Sequence, residues 1–110
     1  MVDSRLKLLR EWKKVVQVFA SIVKMLYPES EVYLFGGAAE KRLTVLSDID
    51  VMVVLRERVT PEKRVEVIAR IWETLEKAGI PPYYPLEIHV VDPKTLEEYK
   101  RRGAKLIKLA

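Results

Sequence analysis

Cysteine is absent from the 110 residues of this chain, which excludes disulfides, thiolate metal sites and a cysteine nucleophile in one step. Asparagine is also absent, and glutamine occurs once, at Gln17. Set beside 33% charged residues, that scarcity of deamidation-prone amides is the thermophile tendency. Long apolar runs are missing: none approaches a membrane span or a signal-peptide core, and the first residues alternate charge with leucine. The expectation is a soluble, cytoplasmic protein with no membrane contact. A large excess of one charge is missing too. The formal net charge is +4, and acids are interleaved with bases over most of the chain, so composition alone gives no nucleic-acid footprint. The exception is the acid-free stretch with Lys100, Arg101, Arg102, Lys105 and Lys108, which reads as a solvated tail or as a contact for a phosphate-rich partner. No Walker sequence, Gly-rich dinucleotide fingerprint, serine elbow or His-Glu-x-x-His occurs, which disfavours the enzyme classes built on them. The length suits one domain, residues 1–110, with a real core but no room for a separate recognition domain.

What is present is periodic. Over residues 4–27, Leu9, Trp12, Val15, Val16, Phe19, Ile22, Val23 and Leu26 recur at helical steps, with Asp3 or Ser4 as the cap and Pro28 as the stop. Glu31 to Phe35 is a short apolar strand, residues 38–43 suit a short helix, and residues 48–55 form a second strand. Thr60 and Pro61 open a helix whose apolar face holds Val65, Ile68, Ile71, Trp72 and Leu75, and which ends near Ala78 before Gly79. After the stiff linker that carries Tyr83 and Tyr84, residues 86–91 alternate as a third strand, and Asp92 with Pro93 starts a last helix that stops at Gly103. The order α β α β α β α predicts an α/β or α+β domain, with a small mixed sheet and helices over one side. Tyr83 or Tyr84 suits either base stacking or ordinary loop packing.

The chemistry concentrates between residues 36 and 50. Gly36 and Gly37 follow the first strand, and Asp48 and Asp50 open the second. Alternation in an extended chain turns Asp48 and Asp50 to one face and Ile49 to the other. Like charges a few Å apart repel unless a cation lies between them, and oxygen ligands suit Mg²⁺. A glycine pair lets backbone N–H groups approach a phosphate closely. Phosphate and metal binders therefore stand side by side.

With Gly-Gly, ten residues, then Asp-x-Asp, the chain resembles the polymerase-beta-like nucleotidyltransferases, most closely their minimal, antitoxin-type branch. Gly36, Gly37, Asp48 and Asp50 take the positions of that family's Gly-Ser and Asp-x-Asp, with Gly37 where the family usually has serine. The resemblance implies the polymerase-beta-like fold and a third acid on a neighbouring strand, for which Glu87 is the candidate. His89 lies on the same strand face and is either a supporting hydrogen-bond donor or outer-sphere ligand, or a satisfied, partly buried histidine. The implied activity is transfer of a nucleoside monophosphate, AMP from ATP, to an acceptor hydroxyl. Two Mg²⁺ ions, or Mn²⁺, would be held by Asp48, Asp50 and Glu87, and the Gly36 and Gly37 amides would steady the departing phosphates. The resemblance also implies a partner, a small helical ribonuclease toxin of the HEPN class, in a complex or alongside a homo-oligomer. A slow or inactive module that works by docking onto a protein is the alternative, motivated by Gly37; a nucleic-acid-modifying transferase is a third.

Overall fold

Three apolar runs become the interior of one sheet: β1 (Glu31–Phe35), β2 (Ile49–Val54) and β3 (Leu86–Val91), joined by a short β4 (Ile107–Lys108). The helices are α1 (Trp12–Leu26), α2 (Gly36–Ala39), α3 (Pro61–Lys77) and α4 (Pro93–Arg101). This computed structural model describes residues 10–42 and 48–110. Strand order is β3-β2-β1-β4, with β1 antiparallel to both β2 and β4 and β2 parallel to β3. A parallel pair cannot be joined by a tight turn, and α3 is the crossover that joins this one. The mixed α/β sheet expected from the sequence is present.

Alternation divides the strands between two layers. Val32, Leu34, Ile49, Val51, Val53, Leu86, Ile88 and Val90 pack with Val16, Phe19 and Val23 of α1 and with Val67, Ile71 and Leu75 of α3. Fully burying each large apolar side chain there contributes roughly 1.5 to 3 kcal/mol. On the opposite face Tyr33, Met52, Val54 and Val91 pack with Leu96 of α4, bordered by Phe35, Tyr99 and Leu106. The helices therefore lie on both faces, where the sequence expectation had them over one. α4 is short and presents only a narrow apolar stripe, so it covers part of its face.

Local signals account for the boundaries. Thr60 Oγ1 accepts from the Lys63 amide at 3.1 Å and Pro61 follows as the first helical residue, while an Asp92 carboxylate oxygen accepts from the Thr95 amide at 2.9 Å ahead of Pro93. The described part of the first helix begins at Trp12; its expected start, including the caps Asp3 and Ser4, lies outside the described residues. The short helix expected over residues 38–43 instead begins on the glycines, at Gly36, and Leu43 lies outside the described residues.

The largest difference is at the end. The stretch expected as a solvated tail returns as β4, which pairs Ile107 with Leu34 and Lys108 with Tyr33. The pairing continues as the Leu109 amide donates to the Val32 carbonyl at 2.7 Å and the Val32 amide to that of Ala110 at 2.9 Å. Its basic side chains stay exposed. Lys108 Nζ reaches Glu31 Oε2 at 3.4 Å. Burial alone would raise the Glu31 carboxyl, but the Tyr33 hydroxyl and the Lys108 ammonium outweigh it and hold the group below the usual range. Among the described residues no helix is long and apolar enough to cross a membrane.

Candidate metal and phosphate site

The site begins as a matter of register. β2 and β3 run parallel with Asp50 beside Glu87 and Met52 beside His89. Because alternate residues share a face, Asp50, Glu87 and His89 stand together on the α4 side, opposite Ile49, Val51 and Ile88. His89 Nε2 lies 3.4 Å from Asp50 Oδ1 and 3.5 Å from Glu87 Oε1, so one nitrogen meets both carboxylates. One ligand atom from each of the three residues lies within 4.8 Å of the others. Asp50 and His89 side chains are 25% and 29% exposed and Glu87 55%, a group open to solvent from the Glu87 side.

The imidazole is held from behind. Phe35, the last residue of β1, meets the His89 ring edge-on at 4.9 Å, and Tyr99 of α4 meets Phe35 in the same way at 5.7 Å. Such pairs contribute about 0.5 to 1.5 kcal/mol beyond the area they bury. α4 thus fixes Phe35, and Phe35 fixes the imidazole. Sequence reading did not find these supports, since Phe35 and Tyr99 are far apart in the chain and neither carries a motif.

The glycine pair divides its roles. Phe35 pairs with Asp50, and the chain then turns at Gly36 with φ +67°. A Cβ on Gly36 would run into Asp50 Oδ2 and stand 3.1 Å from Asp50 Cγ, so this position needs glycine both for its backbone angle and for its closeness to the carboxylate. Gly37 is different: a Cβ there would meet the Arg42 carbonyl oxygen at 3.8 Å, ordinary contact, with no left-handed angle. Among the described residues nothing in the packing forbids a serine at Gly37. Downstream, the Arg42 amide donates to the Gly37 carbonyl at 2.7 Å and the Arg42 guanidinium pairs with Glu40 at 3.1 Å.

Of the residues singled out in the sequence, the structure brings Asp50, Glu87 and His89 together and sets Gly36 against Asp50. Asp48 is exposed, one residue ahead of β2, and is not a member of the cluster. Tyr84 is buried in the α1–α3 layer, where burial pushes its phenol up to about 12, while Tyr83 is 72% exposed. A cavity of about 550 Å³ lies away from the carboxylates, lined by Trp12, Val16, Leu34, Ala38 and Ile107. Among the described residues its polar side chains are Lys13, Gln17 and Lys41.

Two carboxylates in adjacent register repel by an amount on the order of 1 to 4 kcal/mol at about 4 Å, depending on solvent access. Among the described residues neither is paired with Lys or Arg, and His89 is the partner of both. Two oxygen donors and one imidazole converging on an open edge fit a divalent cation, which would relieve that repulsion.

Residues 16–107 match the sequence model of the nucleotidyltransferase domain. Comparison with curated proteins finds no match. Several solved structures share the fold. A candidate nucleotidyltransferase from Sulfolobus solfataricus is 23% identical with a TM-score of 0.55, the alignment covering 97% of this chain and 83% of that one. A toxin–antitoxin structure with AMP-PNP is 18% identical at a TM-score of 0.53, covering 82% and 68%. The tri-AMPylated HEPN toxin of Shewanella oneidensis in complex with MNT antitoxin gives 16% identity and a TM-score of 0.53, covering 89% and 71%.

Proposed function

The chain belongs to the nucleotidyltransferase domain family, and from that premise we propose that it transfers AMP from ATP to a hydroxyl on a partner protein. The acceptor oxygen forms a bond to the α-phosphorus, the bond from that phosphorus to the bridging oxygen of the β-phosphate breaks, and pyrophosphate leaves while the hydroxyl proton passes to solvent. The observation that carries the reading is the Asp50–Glu87–His89 cluster set directly against the Gly36 turn.

Asp50, Glu87 and His89 would hold a divalent ion, with Asp48 as a further carboxylate at the entrance to β2. One or two Mg²⁺ or Mn²⁺ ions, when bound, supply neutralisation of phosphate charge and a more acidic acceptor hydroxyl. The chain's own residues do the placing. Asp50, the more enclosed carboxylate, is fixed between β1 and β3, while Glu87 lies toward solvent on the side from which an acceptor arrives. The backbone at Gly36 and Gly37, unobstructed by Cβ atoms, lets amide groups approach the departing phosphates. The part of the sheet face that α4 leaves uncovered is where the acceptor's carrier would sit. The fold shared with an MNT antitoxin solved beside its AMPylated HEPN toxin supports a HEPN-class toxin as the protein that carries the acceptor.

The test is to co-express the chain with the product of the adjacent gene and weigh that product intact after incubation with ATP and Mg²⁺. An AMP adduct that Asp50→Asn abolishes is expected. If the neighbour binds and gains no mass, the chain is a docking module, as the missing hydroxyl at Gly37 would allow. Extension of a free nucleotide or RNA instead would keep the chemistry and discard the protein acceptor.

A further inference from the structure

The structure places an imidazole nitrogen within 3.5 Å of both acids of the site. We propose that His89 Nε2 is a direct ligand of the divalent ion, and that this nitrogen shifts the site's preference from Mg²⁺ toward Mn²⁺ and similar transition ions. The inference rests on the nucleotidyl-transfer reading of the same site.

Distance is the first support. Two atoms bound about 2.1 Å from one ion stand about 3.0 Å apart at a right angle and about 3.4 Å apart at a tetrahedral one. His89 Nε2 is 3.4 Å from Asp50 Oδ1 and 3.5 Å from Glu87 Oε1, close to the tetrahedral spacing and about half an ångström beyond the right-angle spacing of a six-coordinate ion, a gap that a small side-chain rotation closes. As hydrogen bonds the same separations are long, since N–H···O bonds cluster near 2.9 to 3.0 Å.

Rigidity is the second. Phe35 and Tyr99 back the ring edge-to-face, so the nitrogen is aimed before any ion arrives. Ligands held in advance lose less entropy on binding. The third support is ligand chemistry. Mg²⁺ favours oxygen donors and keeps its waters, whereas imidazole suits transition ions. A site with two carboxylates and one imidazole therefore discriminates in favour of Mn²⁺, and the exposure of Glu87 leaves space for nucleotide oxygens to complete the shell.

His89 is the chain's one histidine, which gives a direct test on the unaltered sequence. Protein made with ¹⁵N-histidine and freed of any affinity tag carries that isotope in this ring alone. Pulsed electron paramagnetic resonance of bound Mn²⁺ is expected to show coupling to a directly bound imidazole nitrogen, which changes from a ¹⁴N to a ¹⁵N pattern on labelling. By calorimetry, His89→Gln is expected to weaken Mn²⁺ about tenfold or more and Mg²⁺ less than about threefold. Mn²⁺ that is released by Asp50→Asn but shows no nitrogen coupling overturns the inference and leaves the carboxylate site standing. Mn²⁺ binding that survives both Asp50→Asn and Glu87→Gln overturns the inference together with the proposed site.

Discussion

On the sheet face that meets α1 and α3, every strand side chain that points into that layer is apolar, whereas on the face that meets α4 the same strands carry Asp50, Glu87 and His89 beside Tyr33, Met52, Val54 and Val91. The first face is covered by α1 and α3 except at the cavity that Leu34 and Ile107 line. Among the described residues the second is covered only where α4 reaches it, and the carboxylates stand beyond that cover. Strand alternation allows this division: Ile49 and Asp50 are neighbours in the chain and belong to different layers. Stability and chemistry are therefore separable by substitution, one residue apart.

The sharpest way to break that comparison is to change each neighbour in turn. Asp50→Asn removes a converging charge without changing size, and nucleotidyl transfer is expected to fall at least about a hundredfold with the melting temperature maintained or slightly raised. Ile49→Ala, in the fully buried layer, is expected to cost about 2 to 5 kcal/mol in denaturant unfolding. Equal stability losses in the two variants would mean that the faces are not independent.

The adjacent glycines sharpen the same contrast at smaller scale. Gly36→Ala forces a side chain into a left-handed backbone and into Asp50, so a loss of roughly 1 to 3 kcal/mol in stability and a displaced metal site are expected, read by melting and by Mn²⁺ titration. Gly37→Ser has space and returns a hydroxyl where phosphate would lie. Tighter triphosphate binding is expected, since a hydrogen bond to a charged oxygen is worth about 1.5 to 3 kcal/mol. A destabilised Gly37→Ser protein would show that the turn tolerates glycine alone.

The smallest effect belongs to the helix that covers the open face. Asp92 caps α4, and its hydrogen bonds with Thr95 hold the carboxyl below its ordinary value. A carboxyl that is a stronger acid when folded contributes fully above the unfolded carboxylate range, and that contribution disappears as pH falls through the folded value. Asp92→Ala is expected to cost about 1 kcal/mol at neutral pH and little once the Asp92 carboxyl is protonated in the folded as well as the unfolded state, measured by unfolding at neutral pH and at acid pH. A cost that does not change with pH would remove the capping charge from the explanation.

Much of the sheet could be read from local pattern. β3 has the bounds that alternation gave it, and Thr60-Pro61 and Asp92-Pro93 start helices as their capping chemistry requires. β4 was hidden, because two residues, one of them a lysine, carry too little pattern and acquire strand form only by pairing with β1. The position of α4 across the opposite face was hidden for a related reason: a helix's apolar stripe says that it packs, not on which side. At the site, spacing singled out Gly36 and Asp50 and the family resemblance singled out Glu87, and the structure sets the three close together. The shared nitrogen of His89 was not, because it depends on the relative register of β2 and β3, set by tertiary packing.

The most direct test of the site is calorimetric binding of a non-hydrolysable ATP analogue with and without Mn²⁺, in the wild-type protein and in Asp50→Asn. Metal-dependent nucleotide binding that Asp50→Asn reduces at least about tenfold is expected, since the carboxylate would hold the ion that the phosphates share. Binding of the analogue with undiminished affinity in Asp50→Asn, or with no dependence on metal, would contradict the placement of the reaction centre at the open end of the sheet.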